Sequence, residues 1–427
     1  MRVLLVGGGG REHALAATLA ASPRVSALLA APGNPGIAEH ARTVALAADH
    51  LEALVDLARR ERVDFVVVGP EAPLVAGLAD RLAEAGRLAL GPSAAAARLE
   101  GSKAFAKALM ARQGIPTARF EVFDAPAEAR RYCARVGAPL VVKADGLAAG
   151  KGALVCVTLA EAEAAVRALM EERVFGPAGA TVVIEEYLEG DEVSFFALSN
   201  GEEVLALGAA ADHKAVFDGD RGPNTGGMGA YSPVPGFASL EAEVVRTIVR
   251  PTIAALAKEG APYRGVLFVG LMLTRGGPRV LEYNCRFGDP ECQVLVTRLA
   301  DDLVPLLLAA ARGETLPARV QWRPEAAVCV NLVSGGYPGR YATGQPIEGV
   351  ERAAAVEGVR VFHAGTARRD GRLVTAGGRV LSVTATAPRL AEAVRRAYAA
   401  AACISFDGVH YRRDIARRAL ERLGERA

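Results

Sequence analysis

Residues 280–291 read VLEYNCRFGDPE. The two-residue period of a strand puts Glu282, Asn284 and Arg286 on one face and Leu281, Tyr283 and Cys285 on the other. A carboxylate beside an amide oxygen suits a hard divalent cation that keeps several waters and binds phosphates, which makes magnesium the natural candidate. Arg286 on the same face can neutralise a phosphoryl group in transfer. The plainer alternative is an edge strand with a solvated polar face.

A second stretch, DGLAAGKGAL at 145–154, looks at first like a phosphate cradle. The G-x-x-x-x-G-K-S/T loop requires four residues between its glycines and a helix after its lysine. Here three residues separate Gly146 from Gly150, Gly152 follows Lys151, and the flanks PLVVKA and ALVCVT both read as strands. A glycine hairpin can instead fold over phosphates from above with its backbone N–H groups, so a flap is expected. Downstream, VVIEEYLEGDEVSF (182–195) ends a strand in Glu185 and Glu186 and passes Tyr187 and Leu188 to Glu192. Such a hinge offers backbone groups to an adenine edge and a carboxylate to ribose hydroxyls, although solvated acidic turns are common after strands. The segment DHKAVFDGDRGPNTGGMGAYSP (212–233) carries Asp212, His213, Lys214 and Asn224 with no apolar period. Long irregular stretches in compact proteins are functional or disordered, and the ordered ending GAYSP favours a substrate loop.

Lysine usage sharpens the selection. Of 50 basic residues only six are lysine, at 103, 107, 143, 151, 214 and 258. Where arginine is the default, a surviving lysine can mark a site that needs a compact ammonium on a flexible stem. Lys258 reads as a surface residue and Lys107 equally well as a solvated helix residue; the other four are the candidates.

Composition narrows the class. The 427 residues, 51% hydrophobic and 23% charged, suit a soluble protein of two to four domains. A formal charge of +2 points to neither nucleic acid nor membrane. The start, MRVLLVGGGG, is a strand entering a glycine turn and no apolar run nears 18 residues, so a cytoplasmic protein is expected. Six cysteines without a C-x-x-C pair read as reduced thiols.

The elements that position these groups follow a legible order. The first hundred residues alternate strand and helix signals, which predicts a doubly wound parallel sheet. Ligands bind beyond the carboxyl ends of such strands, where GGGGRE (7–12), APGNPG (31–36) and GPEAPL (69–74) emerge. A dinucleotide fingerprint fails there, because Glu12 stands where the third glycine belongs and no acidic residue ends the next strand. A helix over 101–114 marks a boundary, a small α+β lid spans about 120–188, a larger antiparallel body follows, and a third α+β region occupies 319–427. The expected domains are therefore 1–102, Rossmann-like; 103–318, containing the lid; and 319–427.

Seven motifs in order, GGGGREHALA, APGNPG, VGPEAPL, GSKAFAK, VVKADGLAAGKG, PNTGGMGAYSP and EYNCRFGDPE, closely resemble the phosphoribosylamine-glycine ligase family of ATP-grasp enzymes of purine biosynthesis. The resemblance spans the whole chain. It implies an N-terminal Rossmann-like domain, an ATP-grasp pair clamping ATP, and a C-terminal domain. Its reaction joins glycine to 5-phosphoribosylamine through a glycyl phosphate, with ATP yielding ADP and phosphate. Carried over, Lys103 and Lys143 hold ATP phosphates under the flap with Gly146, Gly150, Lys151 and Gly152. Glu185, Tyr187, Leu188 and Glu192 hold adenine and ribose, Glu282 and Asn284 hold magnesium or manganese, and Arg286 steadies the acyl phosphate. Phosphoribosylamine falls to Gly9, Asn34, Glu71 and the 212–229 loop with Lys214, Asn224, Gly226 and Gly227, and glycine to Asp212 and Asp289. Where the family carries a basic residue after DHK this chain has Ala215, which receives no role. Small-molecule partners and a monomer or weak homo-oligomer are expected. A related carboxylase or formate-using ligase would share the nucleotide residues and differ at GPNTGGMG and GPEAP.

Overall fold

A computed structural model describes residues 1–148 and 150–426; Ala149, inside the flap, and Ala427 lie outside the described residues. The N-terminal sheet is parallel, in the order Arg42–Thr43, Ala27–Pro32, Arg2–Gly7, Phe65–Val68, Leu88–Leu90. Its central strands are apolar on both faces because helices cover both, as the doubly wound reading requires. The glycine turn after the first strand serves a carboxylate. Glu12 is buried in the first turn of helix Gly10–Ala20 and accepts a hydrogen bond from Gly9 N at 2.6 Å. A Cβ on Gly7, Gly9 or Gly69 would stand 2.6, 2.8 or 2.1 Å from Glu12 atoms. These three glycines make room for Glu12, which explains why the dinucleotide pattern breaks at that residue.

The lid is a four-stranded antiparallel sheet in the order Phe120–Phe123, Val182–Glu186, Leu140–Ala144, Ala153–Cys156. Helices Pro126–Val136 and Leu159–Val166 cover one face, enclosing Cys133, Val142, Leu169 and Ile184. The other face is left to a cavity.

An eight-stranded sheet forms the body. Its order is Gly277–Asn284, Arg264–Thr274, Asp191–Asn200, Val204–Asp212, Gly229–Ser232, Ala326–Val333, Arg379–Ala387, Val359–His363. The hydrogen-bonded ladder therefore continues from the lid-bearing part into the C-terminal region, through the pairing of Gly229–Ser232 with Ala326–Val333. Residues 212–233, read from the sequence as irregular, contain the hairpin Ala215–Phe217 with Arg221–Asn224, followed by the strand Gly229–Ser232. That hairpin is held from a distance. Arg412, 1% exposed, donates to Asp220 and Asp414, while Asp414 accepts from Gly219 N at 2.8 Å. No local apolar pattern was needed, so none was visible. Among the described residues, no helix is long and apolar enough to cross a membrane.

Candidate active site

The three parts of the chain enclose one cavity of about 530 Å³. Its walls are the lid sheet, the body strands and the turns at the carboxyl edge of the N-terminal sheet. Lys103 arrives on helix Lys103–Gln113, whose start is fixed twice: the Ser102 hydroxyl accepts from Phe105 N at 3.1 Å, and Asp145 accepts from Ala104 N at 2.6 Å. The same Asp145 directly follows the lid strand carrying Lys143, so one carboxylate ties the two lysine-bearing segments together.

Lys143 Nζ donates to Leu281 O at 3.0 Å and lies 2.9 Å from Glu185, whose other oxygen lies 2.9 Å from Lys107. The solvated reading of Lys107 is thus overturned: its side chain is 2% exposed and donates to Thr117 Oγ1 at 2.7 Å. Burial, against the pull of Glu185, lowers its ammonium to about 8. Lysine scarcity was the available signal. Lys258 is exposed, as expected.

Glu282 and Asn284 end the edge strand of the body. Burial alone would raise Glu282, but Lys103, Lys143, Lys214 and Arg286 together hold it below its usual range. Arg286, just beyond, donates to Glu71 Oε2 (3.1 Å), Glu100 Oε1 (2.9 Å) and Asn284 Oδ1 (3.0 Å). Glu100 also accepts from Cys285 N at 2.7 Å, so the end of an N-terminal helix sets the arginine's backbone and its fork together. In Asn284 the amide nitrogen is buried without a partner.

At the far end, Lys214 lies 3.0 Å from Asp212 and 3.3 Å from Glu192. Asp289 faces Arg379 at 3.2 Å; burial would raise this carboxyl, and Arg379 and Arg11 keep it depressed. Arg379, on a strand of the C-terminal region, also donates to Gly226 O.

Most of the candidate residues line this single cavity: of those expected to hold the nucleotide, Lys103, Lys143, Gly150, Gly152, Glu185, Tyr187, Leu188 and Glu192. Of those expected to hold the other substrates, Gly9, Glu71, Asp212, Lys214, Asn224, Gly226 and Asp289 do so, as do Glu282, Asn284 and Arg286. Four lie off the lining. Gly146 packs on Ala178, and Lys151 Nζ donates to Pro338 O at 3.0 Å. Gly227, at φ +111°, closes over Asp212 and Pro290. Asn34 donates from its amide to Gly8 O at 2.9 Å and His363 O at 2.7 Å, linking the first and last regions of the chain. Beyond Lys107, the lining adds Arg379, Glu100 and Glu291. Glu291 follows Pro290 at a helix start and reads there as a charge placed against the helix dipole, and Arg379 sits in an arginine-rich region, so neither type nor spacing marked them.

Opposed cations from a lid and a sheet, a carboxylate–amide pair on an edge strand and a glycine flap above them together define an ATP-grasp enzyme. The chain matches phosphoribosylglycinamide synthetase in its N domain over residues 1–100, its ATP-grasp (A) domain over 101–292 and its C domain over 327–418. It belongs to the phosphoribosylglycinamide synthetase family. The phosphoribosylamine–glycine ligase of Agrobacterium fabrum is 53% identical over 423 residues, 99% of each chain. The crystal structure of that ligase from Thermotoga maritima is 37% identical, with a TM-score of 0.85 over 97% of this chain and 100% of the other. The biotin carboxylase domain of a 2-oxoglutarate carboxylase from Hydrogenobacter thermophilus, solved with MgADP, shares the fold at 20% identity and a TM-score of 0.72, over 96% of this chain and 91% of the other.

Proposed function

We propose that this chain joins glycine to 5-phosphoribosylamine at the expense of ATP, forming the ribosyl glycinamide, ADP and phosphate. The observation that carries the reading is the convergence of Lys103, Lys143, Glu282, Asn284 and Arg286 on one cavity that also holds Gly9, Glu71, Asp212 and Asp289. In this reading 103–318, with the lid at 120–188, holds the nucleotide, and 1–102 and 319–427 supply the other walls.

Phosphoryl transfer to the glycine carboxylate requires charge neutralisation and alignment more than a nucleophilic side chain. Lys103 and Lys143 face the triphosphate from the lid side and Arg286 faces the new acyl phosphate. Glu185, Tyr187, Leu188 and Glu192 frame the nucleoside. Lys103, Lys143, Lys214 and Arg286 all act on Glu282, and the pair Glu282 and Asn284 fits a magnesium or manganese ion arriving with the triphosphate. Among the described residues no group of three His, Cys, Asp or Glu could hold a metal alone, as befits an ion that shares its shell with phosphates and water. Bound there, the ion would neutralise phosphate charge. Gly150 of the flap lies against Thr225 O and Gly226, a placement that excludes water from an acyl phosphate that water would destroy.

The test is ADP release with glycine and freshly generated phosphoribosylamine, each omitted in turn. Full turnover should require both. ADP formation that depends on bicarbonate or formate instead would assign the chain to another ATP-grasp chemistry.

A further inference from the structure

The substrate end of the cavity carries more negative charge than its cations match. Asp212 and Glu291 meet there from the strand Val204–Asp212 and the helix Glu291–Arg298, and Glu192, on the neighbouring strand, shares their cation. Lys214 alone stands among them, 3.0 Å from Asp212 and 3.3 Å from Glu192. Arg286 and Arg379 act on Glu291 from further off, but each already has a carboxylate in contact, Glu100 and Glu71 for the first and Asp289 for the second. The Asp212 side chain is 5% exposed, and its Oδ1 has no hydrogen-bond partner. Glu291, 2% exposed, accepts only the Ser194 hydroxyl from another side chain, at 2.9 Å. Two buried carboxyls at the cavity wall, one oxygen unclaimed, suit a ligand that brings N–H protons.

We propose that Glu291, with Asp212 beside it, takes the proton that the attacking amine must lose; this rests on the ligase reading above. The lone pair of the ribosylamine nitrogen forms the bond to the glycyl carbonyl carbon, and the C–O bond to phosphate breaks with its electron pair leaving on phosphate. One proton passes from nitrogen to the Glu291 carboxylate and then to the departing phosphate, which returns Glu291 to its starting form. Asp212, whose Oδ2 is held by Lys214, offers its unclaimed Oδ1 to the same N–H group. Burial and the neighbouring Asp212 push Glu291 up to about 7, against Lys214, which suits a base working near neutrality.

The test is Glu291→Gln, which keeps size and the capacity to accept from Ser194. Three readouts are taken on both proteins: turnover with phosphoribosylamine across pH, ATP affinity, and glycyl hydroxamate formed when hydroxylamine replaces the ribosylamine. Hydroxylamine, a weakly basic nucleophile, reports acyl phosphate formation without demanding the base. The expected result is a fall in kcat of about 10²–10³, loss of the wild-type decline on the acid side, and ATP affinity and hydroxamate yield near wild type. Turnover within threefold of wild type, or equal loss of both reactions, overturns the proposal. A wild-type protein inactive with glycine and phosphoribosylamine overturns the ligase reading first, and that control separates the two failures.

Discussion

Replacing Arg286 by alanine should harm stability and rate through different neighbours, and the two losses can be separated. The guanidinium is 15% exposed and contacts Glu71, Glu100 and Asn284 within 3.1 Å. Its removal leaves Glu100, 6% exposed, and Glu71 facing each other with no cation in contact. Breaking a buried ion pair from one side costs about 3–5 kcal/mol, a large share of the roughly 5–15 kcal/mol that holds a domain folded. The pH dependence fixes the cause. In the wild type, Arg286 and Arg11 outweigh burial and keep Glu71 depressed, so its contribution is present above the unfolded carboxylate value and is lost as pH falls through the folded one. In the variant both carboxyls shift upward, the native state binds more protons than the unfolded chain, and stability falls as pH rises. Urea unfolding should therefore show a deficit of about 3–5 kcal/mol at pH 8 that shrinks by roughly 1–2 kcal/mol at pH 5.5. The rate should fall about 10²–10³-fold, as when one preorganised charge stabiliser is lost. Adding Glu100→Gln, which still accepts from Cys285 N, should restore much of the stability and none of the rate. A deficit independent of pH, or a double variant that regains turnover, refutes the reasoning.

Other buried charges can be measured in the same way. His13 is lowered to about 3 by burial, then by His363 and His40, and His363 to about 4 by burial and Arg368. The unfolded chain binds these two protons first, so stability should drop by about 2–4 kcal/mol between pH 7 and pH 5, at most ~1.4 kcal/mol per pH unit for each histidine; a flat urea midpoint over that range contradicts it. Lys107→Met strands Glu185 on Lys143 alone and should cost about 3–5 kcal/mol, with part recovered by adding Glu185→Gln; a thermal melt unchanged in the single variant would show the pair to be idle. Gly227→Ala places a Cβ 2.4 Å from Pro290 and 2.8 Å from Asp212 at φ +111°, so turnover should fall about tenfold or more through misplacement of the substrate end while ATP affinity stays within about twofold; normal turnover would show that the loop gives way cheaply.

Legibility tracked the range of the forces involved. The N-terminal sheet was readable because its strands are short apolar runs between amphipathic helices, and Glu282, Asn284 and Arg286 because strand alternation is a two-residue rule. The hairpin at 215–224 was not, since Arg412 and Asp414, which fix it, lie about 190 residues downstream. Lys107 read equally well as a solvated helix residue because its partner Glu185 comes from a lid strand far along the chain. Glu12 was visible only as a flaw in a glycine fingerprint; in the fold it is the reason for those glycines. Glu291 and Arg379 draw their meaning from what surrounds them in space, which residue type and spacing do not encode.

The shared ladder across Gly229–Ser232 and Ala326–Val333 bears on how such a chain can be cut or grafted. A fragment stopped near residue 318 would keep the lid and both lysines yet present a raw strand edge where its neighbour had been, and bare edges recruit other chains. The last hundred residues thus act as a selvedge that keeps the catalytic fabric from fraying into aggregates, so evolution can trim or extend the lid far more freely than it can detach this border.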